Sequence, residues 1–389
     1  MIPTLFWAPV ALLGWVYVGY PVAAWVAGSL RPFVSRASLP PATRITVGVS
    51  TYNEAAHLEA RIRNILDQAN GFELDVIVAL DGSTDASLEI VQRMADADPR
   101  VNFLVLPRSG KTAALNAIFA AARGELVVLT DVETRFAPGC LGEIAAAFRD
   151  PRVGCATGRI VWHDPGQTPT SRNEGLYWRY EQLVRDLESR AGWLSAGSGA
   201  LLAVRRELYR PVPEHADMDQ LLPLYARDSG LVVVTVPTAV AVDRPIAGLR
   251  AQFRSRTRTA TQGIAANLSM AARLTPWRRP SAFLAIWSHK LLRWATPWLL
   301  SLLTVGAILL VTAGQPLYLV PLALLVAGVA LATAGYLLGK VGMAPFITSF
   351  PLAFAVVNLA FVIGWLNLIR GNRIQAWRRE EWQTQSQRQ

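Results

Sequence analysis

The chain has 389 residues, of which 52% are hydrophobic and 17% charged, and its formal net charge is +10. The apolar content excludes an intrinsically disordered chain, and two cysteines are too few for a disulfide scaffold. The positive charge is not accompanied by a nucleic-acid-binding motif or a platform of interleaved aromatic residues, so no nucleic-acid partner is expected.

The first 30 residues contain no Asp, Glu, Lys, Arg or His. Their apolar run, residues 5–28, is long enough to cross a bilayer at about 1.5 Å per residue. A signal peptide would carry positive charge before its apolar core, whereas here Arg31 follows the run. We therefore predict that residues 1–30 form a transmembrane anchor.

Residues 31–270 are predicted to form a cytosolic α/β domain. Near-continuous apolar runs, typical of buried parallel strands, lie at 45–51, 74–80, 101–107 and 126–131. Helical segments separate these runs near 55–70, 85–97 and 111–124. This alternation predicts repeated βαβ units and an open, doubly wound α/β sheet. Ligands of such sheets bind beyond the carboxyl ends of the strands.

The remainder of the chain is predicted to be membrane-associated. Residues 271–295 are expected to include an amphipathic helix in the membrane interface, with an apolar stripe formed by Phe283, Trp287, Leu291 and Trp294. Two further charge-free runs in 296–369 predict about three transmembrane helices, and 370–389 form a basic tail. One anchor and three later crossings would leave this tail outside, against the positive-inside tendency, unless one apolar segment re-enters without crossing.

Acidic residues follow several predicted strands. Asp81 follows the second strand, and Asp131 and Glu133 follow the fourth. Asp131 and Glu133 lie two residues apart and offer the oxygen ligands preferred by hard divalent cations such as Mg²⁺. Each acid alone is equally compatible with a helix N-cap or a turn, but their recurrence at neighbouring strand ends favours a ligand site.

Lys111 lies in a Gly-Lys-Thr sequence that is reminiscent of a phosphate-binding loop. That loop requires a glycine five residues before Gly110, where this chain has Val105 within a predicted strand. The sequence therefore argues against a nucleoside triphosphatase and leaves Lys111 either near a phosphate or beside a helix cap.

In combination, these motifs resemble the inverting glycosyltransferases of family 2, whose nucleotide-sugar domain has the GT-A fold. Only this resemblance implies a mixed, mostly parallel sheet with flanking helices. The likeness extends from Val47 over most of the chain and is greatest to membrane-anchored bacterial exopolysaccharide and cellulose-synthase-like enzymes. The matching motifs are, in order, STYNE (50–54), LDGSTD (80–85), SGKTAALN (109–116), TDVE (130–133), SAGSGALLAVRREL (195–208), DMDQLLPL (217–224), QFRSRTRT (252–259) and WSHKLLRW (287–294).

The resemblance implies roles for the residues around the donor. The residues implied to bind the uracil and ribose of a UDP-sugar are Thr51, Tyr52, Glu54 and Asp81, and those implied to lie near this pocket are Lys111 and Asn116. Asp131 and Glu133 would bind Mg²⁺ or Mn²⁺ on the diphosphate. Glu133 departs from the aspartate usual in the family but remains an oxygen ligand.

The resemblance also implies a general base in the segment 217–224. Alignment of the LLPL sequence places Asp219 at the base position, with Asp217 as the alternative. A carboxylate there would take the proton from the acceptor hydroxyl as it attacks the donor sugar, which inverts the anomeric carbon. A helix N-cap is the structural alternative for either acid.

On the acceptor side, the resemblance implicates Gly199 and a basic helical segment. Gln252, Arg256 and Arg258 would contact the diphosphate and the acceptor, although a basic face against lipid headgroups would have the same composition. The QxxRW form of long-chain polysaccharide synthases is absent, because Ser255 and Arg256 occupy the last two positions. This departure argues against processive synthesis.

The expected protein is thus a multi-pass enzyme of the cell membrane with a cytosolic catalytic domain. It would transfer a sugar from a UDP-sugar to a polysaccharide or lipid-linked acceptor in exopolysaccharide biosynthesis. A single-transfer enzyme acting on a polyprenyl-linked or lipid acceptor and a non-catalytic membrane scaffold are the alternatives.

Overall fold

The structure is a computed structural model that describes residues 2–162, 169–243, 248–340, 343 and 345–372. The predicted basic tail lies outside the described residues beyond position 372.

The strands that the structure describes are β1 (Arg44–Thr51), β2 (Glu73–Asp81), β3 (Val101–Leu106), β4 (Leu126–Thr130), β5 (Arg135–Phe136), β6 (Val153–Trp162), β7 (Leu202–Arg205) and β8 (Val232–Asp243). The helices of the first 230 residues are α1 (Ile2–Gly14), α2 (Tyr20–Leu30), α3 (Ala55–Leu66), α4 (Ser87–Ala97), α5 (Lys111–Ala121), α6 (Cys140–Ala146), α7 (Pro169–Arg190) and α8 (Met218–Asp228). They are followed by α9 (Leu249–Ala271), α10 (Pro280–Ala285), α11 (Leu292–Trp294), α12 (Thr296–Thr312), α13 (Leu319–Lys340) and α14 (Phe346–Ile369).

The strands form one mixed sheet in the order β3-β2-β1-β4-β7-β6-β8-β5. Strands β1 to β4 pair in parallel, as the four apolar runs predict, and β6 is parallel to β8. Strand β7 is antiparallel to both neighbours and β5 is antiparallel to β8. The predicted α/β fold with flanking helices is confirmed, and the antiparallel pairs account for its mixed character.

Helices cover both faces of the sheet, which explains why its central strands are apolar on both sides. In β2, Ile77 and Ala79 face a core formed with α5, α8 and α9, whereas Val76 and Val78 face a core formed with α3 and α6. The alternation follows from the two-residue period of a strand. The two cores fix the sheet from both sides and hold its strand ends in place.

Three helices of the described chain are long and apolar enough to span a membrane: Ile2–Leu30, Pro316–Lys340 and Phe346–Ile369. The first comprises α1 and α2, joined through a π-helical turn at Trp15–Gly19. A further pair, Pro280–Trp294 and Thr296–Thr312, passes the same test only when taken together, and its two arms are bent by 62°. Such a bend is the geometry of a broken span or of a re-entrant segment.

The predicted amphipathic stripe before this bend is wrong in its details. Trp287 is 38% exposed, whereas Leu291 and Trp294 are buried in the core beside α9. A π-helical turn spans Ile286–Leu291, and its wider i to i+5 spacing breaks the 3.6-residue period on which the predicted stripe depended. Leu291 and Trp294 therefore do not share the exposed environment of Trp287, and the predicted location of the segment in the membrane interface stays a prediction.

Helix α9 connects the α/β domain with the long apolar helices. Its Ala260 and Thr261 lie against Gly364 of α14, where a Cβ atom on the glycine would be 2.9 Å from the Cβ of Ala260. The basic segment of α9 is therefore carried by a helix that packs directly on the last apolar helix.

Candidate active site

A cavity of about 280 Å³ lies between the sheet, α9 and the bend before α12. Asp131, which follows β4, and Lys111, the first residue of α5, line one part of it. Predicted site residues that share this cavity are Lys111, Asp131, Gly199, Asp217, Asp219, Gln252, Arg256 and Arg258. The structure thus brings together residues that lie up to 147 positions apart in the sequence.

The ends of β1 and β2 are tied to each other beside this cavity. Asn53 has a positive φ of 54°, a conformation that asparagine tolerates better than most residues. Its side-chain oxygen accepts a hydrogen bond of 2.7 Å from the backbone N–H of Thr84, and its own N–H donates to the Ser83 hydroxyl at 3.2 Å. The predicted STYNE and LDGSTD segments therefore form one rigid surface.

Thr51, Tyr52 and Glu54 lie on this surface and not in the lining of the cavity. The hydroxyl of Thr51 is buried and has no hydrogen-bond partner in the described structure. A buried unpaired hydroxyl is costly, so this group is an exception among the buried polar atoms. The Arg108 guanidinium stacks 3.6 Å from the centroid of the Tyr52 ring. The Tyr52 ring is a flat surface on which a nucleotide base can stack.

Asp81 is engaged by the segment that leads into α5. Its carboxylate accepts hydrogen bonds from the backbone N–H groups of Ser109 at 2.7 Å and Gly110 at 3.0 Å, and it forms an ion pair with Arg108. Gly110 has a φ of 101°, which favours glycine. Asp81 therefore holds the start of α5 in position, in addition to the donor contact that the resemblance implies.

Lys111 forms an ion pair with Asp131 across the cavity, with 2.5 Å between Nζ and Oδ1. Burial alone would lower the pKa of Lys111, but the carboxylates of Asp131 and Asp219 outweigh this effect and raise it. The ammonium group therefore remains charged at neutral pH.

Asp131 and Glu133 flank the buried Val132 in the turn after β4. Their oxygens are suitable for Mg²⁺ or Mn²⁺, and the Lys111 ammonium already occupies one of them as a cation. Within the described residues, no cluster of three or more His, Cys, Asp or Glu side chains could hold a metal ion. Asp131 lines the cavity and Glu133 does not, so a divalent metal ion held by these two acids would need further ligands, such as the oxygens of a bound diphosphate.

Asp219 is a carboxylate whose pKa is changed by its surroundings in the cavity. Its Oδ2 accepts a hydrogen bond of 2.7 Å from the backbone N–H of Gly199, at a point where a Cβ atom on the glycine would lie 2.7 Å from the same oxygen. Burial, reinforced by the negative charge of Asp217 and opposed by Lys111, raises the pKa of Asp219 to about 7. Such a carboxylate can both accept and release a proton near neutral pH.

Asp217 has a different role in the same turn. Its side chain accepts a hydrogen bond of 3.0 Å from the backbone N–H of Asp219 and so caps the N-terminus of α8. The N-cap foreseen as the structural alternative is thus found at Asp217. The preceding segment is held by α5, whose Thr112 donates to Ala216 O and whose Asn116 amide donates to Val212 O. Asn116 therefore positions the chain that leads to the carboxylates and does not line the cavity.

The basic segment of α9 divides between two environments. Gln252, Arg256 and Arg258 line the cavity, whereas Arg250 and Arg254 are exposed and are not part of its lining. Arg256 and Arg258 therefore contribute positive charge to the cavity.

The end of the cavity nearest the membrane helices is formed by a buried charge cluster. Its centre is Glu181 of α7, which accepts hydrogen bonds from Arg185, Lys290 and Arg293 at 3.0, 3.0 and 2.5 Å. Burial would raise the pKa of Glu181, but Lys290 and the neighbouring cations hold it well below its ordinary value. His289 places its two ring nitrogens 3.1 and 2.9 Å from carboxylate oxygens of Glu181 and Glu188.

Sequence reasoning overlooked this cluster and also Arg61. The Arg61 side chain is fully buried in α3, donates to Thr130 Oγ1 at 2.5 Å, and stacks 4.0 Å from the centroid of the Phe136 ring. Burial lowers its pKa to about 9. Thr130 in turn donates to Ala200 O at 2.8 Å, so Arg61 links the strand that carries Asp131 to the loop that carries Gly199.

The sequence and the fold of this chain were compared with those of known proteins. Residues 46–212 match the model of glycosyl transferase family 2. An N-acetylglucosaminyltransferase of Rhizobium leguminosarum bv. trifolii is 31% identical over 132 residues, which are 33% of this chain and 71% of that protein. The chain belongs to glycosyl transferase family 2 and has its GT-A fold.

Longer relatives are matched only in part. An N-acetylglucosaminyltransferase of Rhizobium leguminosarum bv. viciae is 29% identical over 217 residues, which cover 52% of this chain and 51% of that protein. The chain therefore spans about half the length of such curated relatives. Among solved structures, the mannosyltransferase PcManGT from Pyrobaculum calidifontis, in complex with GDP-Man and Mn²⁺, has the same fold with a TM-score of 0.68 and 23% identity, over 95% of this chain and 99% of that one.

Proposed function

We propose that this glycosyltransferase is a membrane-anchored, inverting enzyme of the cell membrane with a cytosolic catalytic domain. It transfers a sugar from a UDP-sugar to a polysaccharide or lipid-linked acceptor in exopolysaccharide biosynthesis. The observation that carries the proposal is the placement of Asp219, with its raised pKa, in one cavity with Asp131 and Lys111. The base and the diphosphate-binding residues thereby face the same space.

In the proposed reaction, the acceptor hydroxyl oxygen forms a bond to C1 of the donor sugar while the bond from C1 to the diphosphate oxygen breaks. Asp219 takes the hydroxyl proton, and the bonding electrons leave with the nucleoside diphosphate. The positive charges of Lys111, Arg256 and Arg258 stabilise this leaving group. When bound at Asp131 and Glu133, Mg²⁺ or Mn²⁺ would add positive charge against the diphosphate.

The cavity also supports an acceptor that arrives from the membrane. It extends from Lys111 to Lys290, Arg293 and Trp294, and Trp294 is two residues before α12 begins. An acceptor carried by a lipid could therefore place its hydroxyl near Asp219 while its anchor remains in the bilayer. This observation favours the lipid-linked acceptor.

A panel of donors in membrane vesicles tests the proposed function. UDP-N-acetylglucosamine is the first donor to try, because the relatives named above are N-acetylglucosaminyltransferases, and GDP-mannose is the comparison. We expect Asp219→Asn to lower transfer by about 100-fold or more, as the loss of a general base does, while calorimetry shows unchanged binding of UDP with Mn²⁺.

Asp217→Asn is the matched control, because asparagine can still cap α8. Full transfer by the Asp219→Asn protein would contradict the proposed base. Sizing of the products separates a single transfer from polymer synthesis, and the absence of binding of UDP and Mn²⁺ would favour a non-catalytic scaffold.

A further inference from the structure

The ion pair between Lys111 and Asp131 is built on a rigid base. Lys111 is the first residue of α5, and the two residues before it donate their backbone N–H groups to the buried Asp81. Asp131 directly follows β4 in the centre of the sheet. Both ends of the pair are thus attached to fixed backbone positions, and Lys111 Nζ lies 2.5 Å from Asp131 Oδ1.

We propose that Lys111 is a resident counter-cation that occupies the carboxylate of Asp131 until a nucleoside diphosphate arrives, and so prevents a divalent metal ion from binding to the empty enzyme. On donor binding, the ammonium group moves from Asp131 to the diphosphate, and the carboxylate becomes available to the metal. This inference rests on the proposed function and adds an order of events to it.

The balance of charges around Asp131 supports the exchange of Lys111 for a metal ion on donor binding. Within the described residues the protein offers Asp131 and Glu133 but no cluster of three acidic or imidazole ligands. One of these two carboxylates is neutralised by a cation at hydrogen-bond distance, and two cations sharing one carboxylate repel each other. The diphosphate changes this balance, because it brings negative charge for Lys111 and further oxygen ligands for the metal.

A purely structural role fits the pair less well. The side chains of Lys111 and Asp131 are 39% and 31% exposed. Ion pairs with this degree of solvent access contribute little to stability, and α5 is already held by Asp81 and by the contacts of Thr112 and Asn116. The pair is also accessible from the cavity, as a contact that must open during binding requires.

The test is the binding of Mn²⁺ alone to the full chain in detergent, measured by the electron paramagnetic resonance signal of free Mn²⁺. We expect the wild-type protein to bind Mn²⁺ weakly, and Lys111→Met to bind it about tenfold more tightly, since the competing cation is gone. Addition of UDP should raise the Mn²⁺ affinity of the wild-type protein more than that of the variant. Only in the wild type does UDP also draw the Lys111 ammonium away from Asp131, and this coupling between the two ligands is reciprocal.

Three further variants make the outcome unambiguous. Lys111→Arg keeps the cation and should behave as the wild type, Lys111→Gln is a second neutral variant, and Lys340→Met makes the same change at a distant position on α13. The inference is overturned if neither neutral variant binds Mn²⁺ more tightly than the wild type. Its failure is distinct from that of the proposed function, which is judged by sugar transfer in the wild-type protein.

Discussion

Asp217 and Asp219 are two carboxylates of one helical turn with unequal surroundings. Asp217 accepts a hydrogen bond from a backbone N–H group at the N-terminus of α8. Asp219 faces the cavity and accepts one backbone hydrogen bond from Gly199. The pKa of about 7 at Asp219 is due first to burial and then to the charge of Asp217. Below this pH the carboxyl group is protonated in the free enzyme and cannot act as a base.

The effect of the Asp217 charge on the pKa of Asp219 predicts the pH dependence of transfer by an Asp217→Asn protein. Removal of the Asp217 charge lowers the pKa of Asp219 towards its ordinary value, so the acid limb of kcat/KM for transfer should move to lower pH. The limb is measured with saturating metal between about pH 5 and 9. Glu214→Gln, a change at an exposed carboxylate three residues earlier, should leave the limb in place. A complete loss of transfer in Asp217→Asn would instead identify Asp217 as the base.

The location of a residue in the fold was predictable where the sequence around it identifies the end of a strand. Asp131 follows an apolar run, and the end of a buried strand is a recognisable location, so its presence in the cavity could be foreseen. Arg61 could not, because an arginine on an amphipathic helix ordinarily faces water. Its burial depends on Phe136 and Thr130, which are brought to it only by the tertiary fold.

At the scale of elements, α9 is the link between the cavity and the last apolar helix. It presents Gln252, Arg256 and Arg258 to the cavity, and farther along it packs against α14 at Gly364. The absence of a side chain at this glycine allows the two helices to approach closely. The orientation of the basic residues therefore depends on a contact that begins two residues after Arg258 on the same helix.

Replacement of Gly364 by leucine should disturb this contact. The added side chain would overlap Ala260 and the backbone N of Thr261, and overpacking of this kind costs about 1–3 kcal/mol. We expect a lower thermal midpoint in detergent and a reduced rate of transfer. Gly328→Leu on α13 is the matched control, since no atom lies within 4 Å of a Cβ built there. Equal effects of both substitutions would refute a specific role for the contact.

Elements were predictable to the extent that their hydrophobic period is regular. The four parallel strands and three intervening helices were recovered because apolar runs and helical spacing alternate clearly. The two-residue β5 has no detectable pattern of its own and exists through its pairing with β8. The helix before α12 was misread because its π-helical turn changes the spacing at Ile286–Leu291.

At the scale of the whole molecule, the first apolar helix is joined to the catalytic domain by polar contacts. The Tyr20 hydroxyl in α2 donates a hydrogen bond of 2.5 Å to Glu188 of α7, which also contacts His289. Trp15 donates from its indole nitrogen to Ser288 at 2.9 Å. Hydrophobic patterning could predict a first helix that is long and apolar enough to span a membrane, but not these contacts between residues more than 160 positions apart.

Tyr20→Phe tests the importance of this junction. Loss of a buried hydroxyl that donates to a carboxylate should cost about 1–3 kcal/mol and lower the thermal midpoint in detergent. Transfer should fall as well, since Glu188, His289 and Glu181 form one connected cluster at the end of the cavity. Tyr336→Phe removes a hydroxyl from a 45% exposed tyrosine of α13 and should change neither quantity. An unaltered midpoint in Tyr20→Phe would show that the hydrogen bond from Tyr20 to Glu188 does not stabilise the junction.

The continuity of the cavity from Lys111 to Trp294 also has a kinetic consequence. For the lipid-carried acceptor proposed above, the enzyme and its substrate would meet by lateral diffusion within one bilayer. The rate would then follow the number of acceptors per unit area of membrane and would be insensitive to the volume of the surrounding solution. The donor, by contrast, would reach the enzyme by diffusion through that volume. The same cavity would therefore receive one substrate by two-dimensional diffusion and the other by three-dimensional diffusion.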